Sequence, residues 1–420
     1  MMDASPPTPP TPHVAPAPAA AAAPLAGLRA LDLTRLLPGP FAGQMLTELG
    51  ADTLKIEEPG QGDASRLLPP LVNGVGLGFL AINRGKRSVA LNLKSAGGRE
   101  ALLRLVDHAD ILLEGFRPGG MARLGLAHET LLARNPRLII CAITGYGQSG
   151  PYSQRAGHDL NYLGYSGVLA HLARPGAPPP LPGAQFADVA GGSLMAVIGV
   201  LAALVARGVT GRGQVVDVSM LDGSVALAPL LVATALGGVA EPLPGAGLLT
   251  GALPGYSVYE SADGRYLTLA ALEPKFWAEF CQRVGRADLI ARHTPRDAAD
   301  RDEVVAALAA LFRTRTRDEW LALLADTDAC VGPVNTLTEA LADPQLQARG
   351  VIARGPDGDA PMLRSIPLLS DTPARLLGGA PALGADTADA LAEVSYTPGE
   401  IAALAASGAI ATGASSSPAR

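Results

Sequence analysis

Apolar and polar positions alternate in two different rhythms along the first third of the chain, and together they predict strand–helix–strand units. Leu28 to Leu33 (LRALDL) alternates like a short strand. A Pro-Gly-Pro turn at Pro38–Pro40 is expected next, then a helical pattern from Phe41 to Leu49 that Gly50 closes. Ala51 to Ile56 returns as a second strand, which completes a βαβ unit. Ser88 to Leu91 reads as a strand, and a helix (GREALLRLVDHA) leads to the strand Asp110–Leu113. Leu138 to Ile143 follows a helix ending near Asn135-Pro136. Strands alternating with helices at this spacing predict a parallel sheet covered on both faces.

The second half changes rhythm. Ser193 to Ala206 (SLMAVIGVLAALVA) predicts a buried helix, followed by a strand at Val215–Val218 and a helix over Met220–Ala235. Residues 237–254 have the Gly/Pro composition of a linker. Tyr256–Glu260 and Tyr266–Ala271 flank an Asp263-Gly264 turn and predict a hairpin. Helices are expected at Lys275–Val284, Arg301–Phe312 and Thr316–Leu324. The expected fold class is α/β: a Rossmann-like parallel-sheet large domain over 25–237 and 341–400, and a smaller α+β domain over 238–340. Residues 1–24 (MMDASPPTPPTPHVAPAPAAAAAP) read as a disordered Pro/Ala-rich leader, and residues 401–420 as a disordered tail.

Composition narrows the function classes. The net charge of −6 and the scattered basic residues argue against a nucleic-acid or anionic-membrane partner. The 14-residue apolar run from Ser193 is short for a membrane span. The leader lacks Lys and Arg and is interrupted by proline, unlike a signal peptide. Cys141, Cys281 and Cys330 are too far apart for a CxxC site, so a reducing, cytoplasmic setting is expected. Aromatic residues supply only 4% of the chain, which predicts a core built mainly from Leu, Ala and Val. No GxGxxG follows the first strand and no GxxxxGK[ST] occurs, which disfavours nicotinamide and ATP enzymes.

Three strings place titratable residues in apolar or glycine-rich surroundings: GHDLNY (157–162), FADVAGGS (186–193) and ALEPKFW (271–277). Asp188 precedes the long apolar helix, where a carboxylate is by default an N-terminal cap and is also placed to act as a base. Gly191 and Gly192 would leave that helix N-terminus open to a developing oxyanion. His158 is either structural or a proton carrier, with Asp159 beside it to orient the ring. Glu273 ends an apolar strand, where a carboxylate is by default solvated. Two basic strings, Asn83-Arg84-Gly85-Lys86-Arg87-Ser88 and Gly115-Phe116-Arg117-Pro118-Gly119, are either solvated turns or donors to phosphates.

Taken together, these strings resemble the class III CoA-transferase family (CaiB/BaiF type), and GHDLNY and LEPKFW resemble its α-methylacyl-CoA racemase branch. LLPGPFAGQMLTELGADTLKIE, NRGKRSVALNLK, DILLEGFRPGGMARLGL, DVAGGS and GRGQVVDVSMLDG carry the wider likeness, which runs from about Leu25 to about Thr372. The resemblance implies exchange of the α-proton of 2-methylacyl-CoA thioesters through an enolate, with no metal or other cofactor. It matches His158 and Asp188 to the two proton-transfer residues and Glu273 to the carboxylate that partners the histidine. CoA contacts fall on Leu91, Asn92, Leu93 and Lys94, on Gly115, Phe116, Arg117 and Arg123, and on Gly157, Asp159, Leu160, Asn161 and Tyr162. The family's architecture implies an interlocked homodimer in which Glu273 is contributed in trans. The chain departs from some racemases at Glu57-Glu58-Pro59, where they carry a basic residue.

The nearest rival is a CoA-transferase moving CoA between carboxylic acids, with Asp188 as nucleophile. His158 and Glu273 tip the reading toward the racemase, because a transferase needs no proton acceptor there. A non-catalytic CoA-ester binder would bind CoA without exchanging solvent deuterium into substrate.

Overall fold

A computed structural model describes residues 23–174, 176–238, 243–354, 361–365 and 367–413. The chain is a mixed α/β protein. Its main elements, in order, begin with β1 (Arg29–Asp32), α1 (Pro38–Glu48), β2 (Asp52–Glu57), β3 (Arg87–Leu91), α2 (Ala96–Val106), β4 (Ile111–Glu114) and β5 (Ile139–Thr144). Next come α3 (Asp159–Tyr165), a π-helix at Ala187–Leu194, α4 (Met195–Thr210), β6 (Val215–Ser219), α5 (Met220–Ala226) and α6 (Pro229–Leu236). Then follow β7 (Tyr256–Glu260), β8 (Tyr266–Ala270), α7 (Pro274–Arg283), α8 (Ala298–Phe312), α9 (Arg317–Leu324), β9 (Val331–Pro333), α10 (Pro398–Ala406) and β10 (Ile410–Ala411). The chain forms two compact units: the described parts of 1–142, 196–216 and 353–420, and those of 143–195 and 217–352.

The large sheet has the strand order β10-β3-β2-β1-β4-β5-β6. β1 pairs in parallel with both β2 and β4, β2 with β3, and β4 with β5. Residues of β4 and β5 are buried throughout, as strands covered on both faces require. The first core gathers Leu31, Leu54, Val89, Leu102, Leu112 and Ile140. Pro38-Gly39-Pro40 is not a separate turn. It forms the first turn of α1, where proline's missing N–H costs nothing and its φ is already helical.

The chain end departs from the expected tail. α10 starts with a capping box, in which Thr397 and Glu400 each satisfy the other's backbone N–H. β10 then adds an antiparallel edge strand to β3, with Ile410 buried. Residues 414–420 lie outside the described residues, as does the leader up to residue 22.

In the second unit the expected hairpin forms as β7–β8, paired from Tyr256↔Ala270 to Tyr266↔Glu260, and β9 adds a third strand. Its core is built mainly from Leu, Ala and Val, as expected, around a group of aromatic side chains. Both tryptophans of the chain, Trp277 and Trp320, are buried there, and the Tyr259 and Phe312 rings stack 5.0 Å apart. The few aromatics are concentrated rather than spread. The unit also takes in 143–195 and 217–237, which the sequence pattern attaches to the larger domain. Close backbone packing holds these segments together: Leu221 N–H donates to the Gly145 carbonyl at 3.0 Å, and Gln148 N–H to Asp217.

The helix expected over Met220–Ala235 is broken in two, because Pro229 cannot continue α5 and instead begins α6. The apolar helix is longer and less covered than its sequence suggests. From Ala187 to Thr210 it is long and apolar enough to cross a membrane by length and composition alone, and a third of its apolar window is buried. Ile198, Val205 and Val209 are exposed in this chain.

Candidate active site

His158 stands immediately before α3 in extended conformation, with its side chain exposed. Two side chains from the following turn fix its backbone. Asn161 Oδ1 accepts from His158 N–H at 3.0 Å, and the Tyr162 hydroxyl donates to the Gly157 carbonyl at 2.6 Å. Tyr162 is buried, and its ring packs edge-on against Tyr146 at 5.2 Å. Gly157 has no room for a side chain: a Cβ there would come within 2.7 Å of the Tyr162 ring and 2.8 Å of the Tyr146 hydroxyl. The GHDLNY string is thus a small self-braced unit that presents the imidazole outward. Leu160 and Asn161 are also exposed on it.

Asp188 does not cap a helix from outside. It lies in the first turn of the π-helix, eight residues that run directly into α4. π-turns are rare and recur at functional sites. Asp188 N–H donates to Asp159 Oδ1 at 3.0 Å, which ties the π-helix to the start of α3. Burial, and then the neighbouring Asp159 carboxylate, push the Asp188 carboxyl up to about 6, against an opposite pull from His158. His158, Asp159 and Asp188 therefore form one electrostatic group.

Gly191 and Gly192 do not open a helix N-terminus toward an oxyanion. Both are buried inside the π-helix, and a Cβ on Gly223 of α5 would lie 2.3 Å from the Gly191 carbonyl oxygen. The smallness of Gly191 serves the contact of two backbones. Glu273 lies at the N-cap position of α7, exposed and making no cap hydrogen bond. It helps push the Cys330 thiol up, second to burial, and is not among the groups that perturb Asp188. Two of the three expected catalytic residues are thus brought together within one chain, and Glu273 is not.

The first unit carries a cleft of about 250 Å³. Its walls include Leu91, Asn92, Leu93, Lys94, Phe116 and Arg123, all expected from the sequence. Gly115 and Arg117 are exposed and outside its lining. Arg35, which the sequence reading missed, also lines it, as does Glu58 of the Glu57-Glu58-Pro59 string. Glu58 holds Lys94 at 2.9 Å, and Arg35 lies 5.8 Å over the Phe116 ring. The signal for Arg35 was a cation just past a strand end, where parallel sheets place their ligands.

The basic string 83–88 is not a phosphate site. Lys86 is fully buried on Asp32 at 2.7 Å, Arg84 is held by Glu48 and two carbonyls, and Arg87 by Asp52 and Glu393. All three cations are committed to partners inside the unit. Glu57, of the departing Glu57-Glu58-Pro59 string, is likewise spent on Arg66 through two bonds of 2.8 and 2.7 Å.

Residues 25–387 match CoA-transferase family III, and the chain belongs to that family. It is 39% identical to the α-methylacyl-CoA racemase of Mus musculus over 384 residues, which span 90% of this chain and 96% of the mouse protein. It is 35% identical to the succinyl-CoA:glutarate CoA-transferase of Mus musculus over 335 residues, 78% of this chain and 76% of that one. A solved CaiB/BaiF family protein from Brucella suis superposes with a TM-score of 0.77 at 35% identity, covering 89% of this chain and all of that one. The protein is an enzyme of this family, and acyl-CoA is its substrate theme.

Proposed function

We propose that this enzyme epimerises 2-methylacyl-CoA thioesters by exchanging their α-proton. The observation that carries the reading is the Asp188 carboxyl, raised to about 6 and within electrostatic reach of His158. A carboxyl in that range both takes and returns protons near neutrality, which an ordinary carboxylic acid does poorly. In one direction the Asp188 carboxylate takes the α-proton as the C–H electron pair passes into the thioester carbonyl to give an enolate. Protonated His158 then delivers a proton to the opposite face, and the electron pair returns to the carbon. In the other direction the roles reverse. The reaction is proposed to use no metal or other cofactor. The extent of the likeness to the mouse racemase supports the same choice.

For CoA itself, the cleft beside Leu91–Lys94, Phe116 and Arg123 supplies apolar walls and cationic donors of the kind a phosphorylated nucleotide needs. We further propose a homodimer of the interlocked kind the family implies, which brings Glu273 of a second copy to His158. The exposed apolar stripe of Ile198, Val205 and Val209 on α4 is what such a partner would cover. Three free cysteines fit a cytoplasmic setting.

A second reading is favoured by the 35% identity to a CoA-transferase. There Asp188 attacks the thioester carbonyl and expels CoA as thiolate, leaving a mixed anhydride that the thiolate then attacks to give an enzyme-bound thioester and the free acid. The deciding experiment incubates (S)-2-methylacyl-CoA with enzyme in deuterium oxide without any acceptor acid. Deuterium uptake with appearance of the (R) epimer is expected. CoA transfer to an added carboxylic acid without deuterium uptake would overturn the racemase reading.

A further inference from the structure

Four charged side chains are buried together beneath the β1–α1 connection, and neither proposed proton-transfer residue is among them. Asp32 and Lys86 pair at 2.7 Å with both side chains at 0% exposure, and Lys55 and Asp63 pair at 3.0 Å at 0% and 1%. Charges withdrawn from water this completely are costly, and hydrophobic replacements of similar shape are often as stable. The quartet therefore calls for a role other than stability alone.

Its hydrogen bonds point to one. Asp32 Oδ1 accepts from both the backbone N–H and the hydroxyl of Thr34. Lys55 Nζ donates to the Thr34 carbonyl at 3.0 Å. Asp63 accepts from Leu36 N–H at 3.2 and 3.3 Å, and its other bonds run to Ser65 and Lys55. Leu36 has a φ of 65°, a left-handed conformation that a leucine keeps only when its surroundings impose it. The buried charges thus clamp the residues on either side of Arg35. Arg35 itself is exposed and lines the cleft, with its guanidinium over Phe116.

We propose that the buried ion-pair network, through Asp63 and Lys55, is a positioning device that holds Arg35 over the cleft as a preset donor to a phosphate of the ligand. The inference rests on the reading that CoA phosphates occupy this cleft. Preset geometry matters here because the cleft's charge is nearly balanced. Glu58 pairs with Lys94 and also lies within electrostatic reach of Arg35, Glu57 is spent on Arg66, and Arg123 adds a further cation. A guanidinium held by a fixed backbone loses less freedom on binding than one on a loose loop.

The test is a double-mutant cycle on binding of free CoA by calorimetry, which needs no turnover. Arg35→Ala is expected to weaken CoA roughly tenfold, as loss of one charge-assisted bond does. Asp63→Asn should weaken it comparably in the wild-type background and hardly further when Arg35 is already alanine. In deuterium-exchange assays the Asp63→Asn loss should fall mainly on KM rather than kcat. Should Asp63→Asn not fold, Leu36→Gly loosens the same loop without touching the ion pairs, and its loss should also vanish in the Arg35→Ala background. Additive losses, or CoA affinity indifferent to Arg35, would overturn the proposal whatever the enzyme's activity. Normal CoA binding without epimerisation would instead count against the racemase reading and leave this one standing.

Discussion

The backbone N–H of Asp188 donates to the carboxylate of Asp159 at 3.0 Å, so one acidic residue fixes the other's position while raising its proton affinity. The two effects share a cause. A carboxylate close enough to accept from the π-helix is also close enough to repel a negative charge on Asp188. The rare π-turn and the GHD string thus belong to one arrangement, built from segments 29 residues apart in sequence.

The pH dependence follows. Asp188 must be ionised to take a proton, so epimerisation in the direction that uses it as base should fall as pH drops through about 6. Asp159→Asn keeps an acceptor for Asp188 N–H but removes the charge. The acidic limb of kcat/KM should then move to lower pH, since desolvation, the larger cause, remains while the repulsion is gone. His158 is the other charged group acting on Asp188 and stays in place. An acidic limb that does not move would show that Asp159 does not tune this carboxyl.

Removing either proton carrier should be severe. His158→Ala and Asp188→Asn are each expected to lower deuterium exchange by roughly 10²–10⁴-fold, the usual worth of a general acid or base. Circular dichroism should remain native, because His158 is exposed and the turn is held by Asn161 and by Tyr162. Near-native turnover in either variant would remove that residue from the mechanism.

Much of the fold was legible because its strands are extreme cases. β4 and β5 are buried on both faces, so they appear in sequence as unbroken apolar runs (ILLE, IICAIT) between amphipathic helices. The β7–β8 hairpin announced itself through Asp263-Gly264, with Gly264 at a φ of 73° that favours glycine. The fate of the basic string was not legible, because what neutralises it is remote in sequence. Lys86 meets Asp32 across 54 residues and Arg87 meets Glu393 across 306. The π-helix was hidden for a similar reason. Its packing depends on Gly191 meeting Gly223, a contact that local pattern does not reveal. His158 and Asp188 were found as chemistry-bearing residues, whereas Arg35 stands in no string that carries such a signal.

The buried pair of Asp32 and Lys86 predicts a stability effect of definite sign. Asp32→Asn would leave an ammonium at 0% exposure facing a neutral amide. Breaking such a pair from one side typically costs about 3–5 kcal/mol. Urea unfolding should show a lowered midpoint with an unchanged slope. A loss below about 1 kcal/mol, the range of surface ion pairs, would mean that water reaches Lys86.

The apolar stripe on α4 predicts the assembly state. Val205 and Val209 are 73% and 87% exposed in the single chain, and Val209 lies one helical turn beyond Val205. Val205→Asp with Val209→Asp would force two carboxylates into any partner contact there. Sedimentation should then show a shift from dimer to monomer. An unchanged dimer would place the interface elsewhere.

The contact between Gly191 and Gly223 supplies the sharpest test of whether the π-helix positions Asp188. A methyl group on Gly223 would lie 2.3 Å from the Gly191 carbonyl oxygen and 2.5 Å from its Cα, and these are backbone atoms that cannot rotate away. Gly223→Ala must therefore push the π-helix from α5, and Asp188 lies three residues before Gly191 on it. Overpacking of this kind commonly destabilises by about 1–3 kcal/mol. The displacement should also cost catalysis, of the order of 10²-fold in deuterium exchange, because proton transfer tolerates little misplacement. Free CoA should bind as before, since its proposed cleft is lined entirely by other residues. If exchange persists while the melting temperature falls, the π-helix is a packing feature only. If exchange collapses in a folded, CoA-binding variant, the two glycines are what hold the base in place.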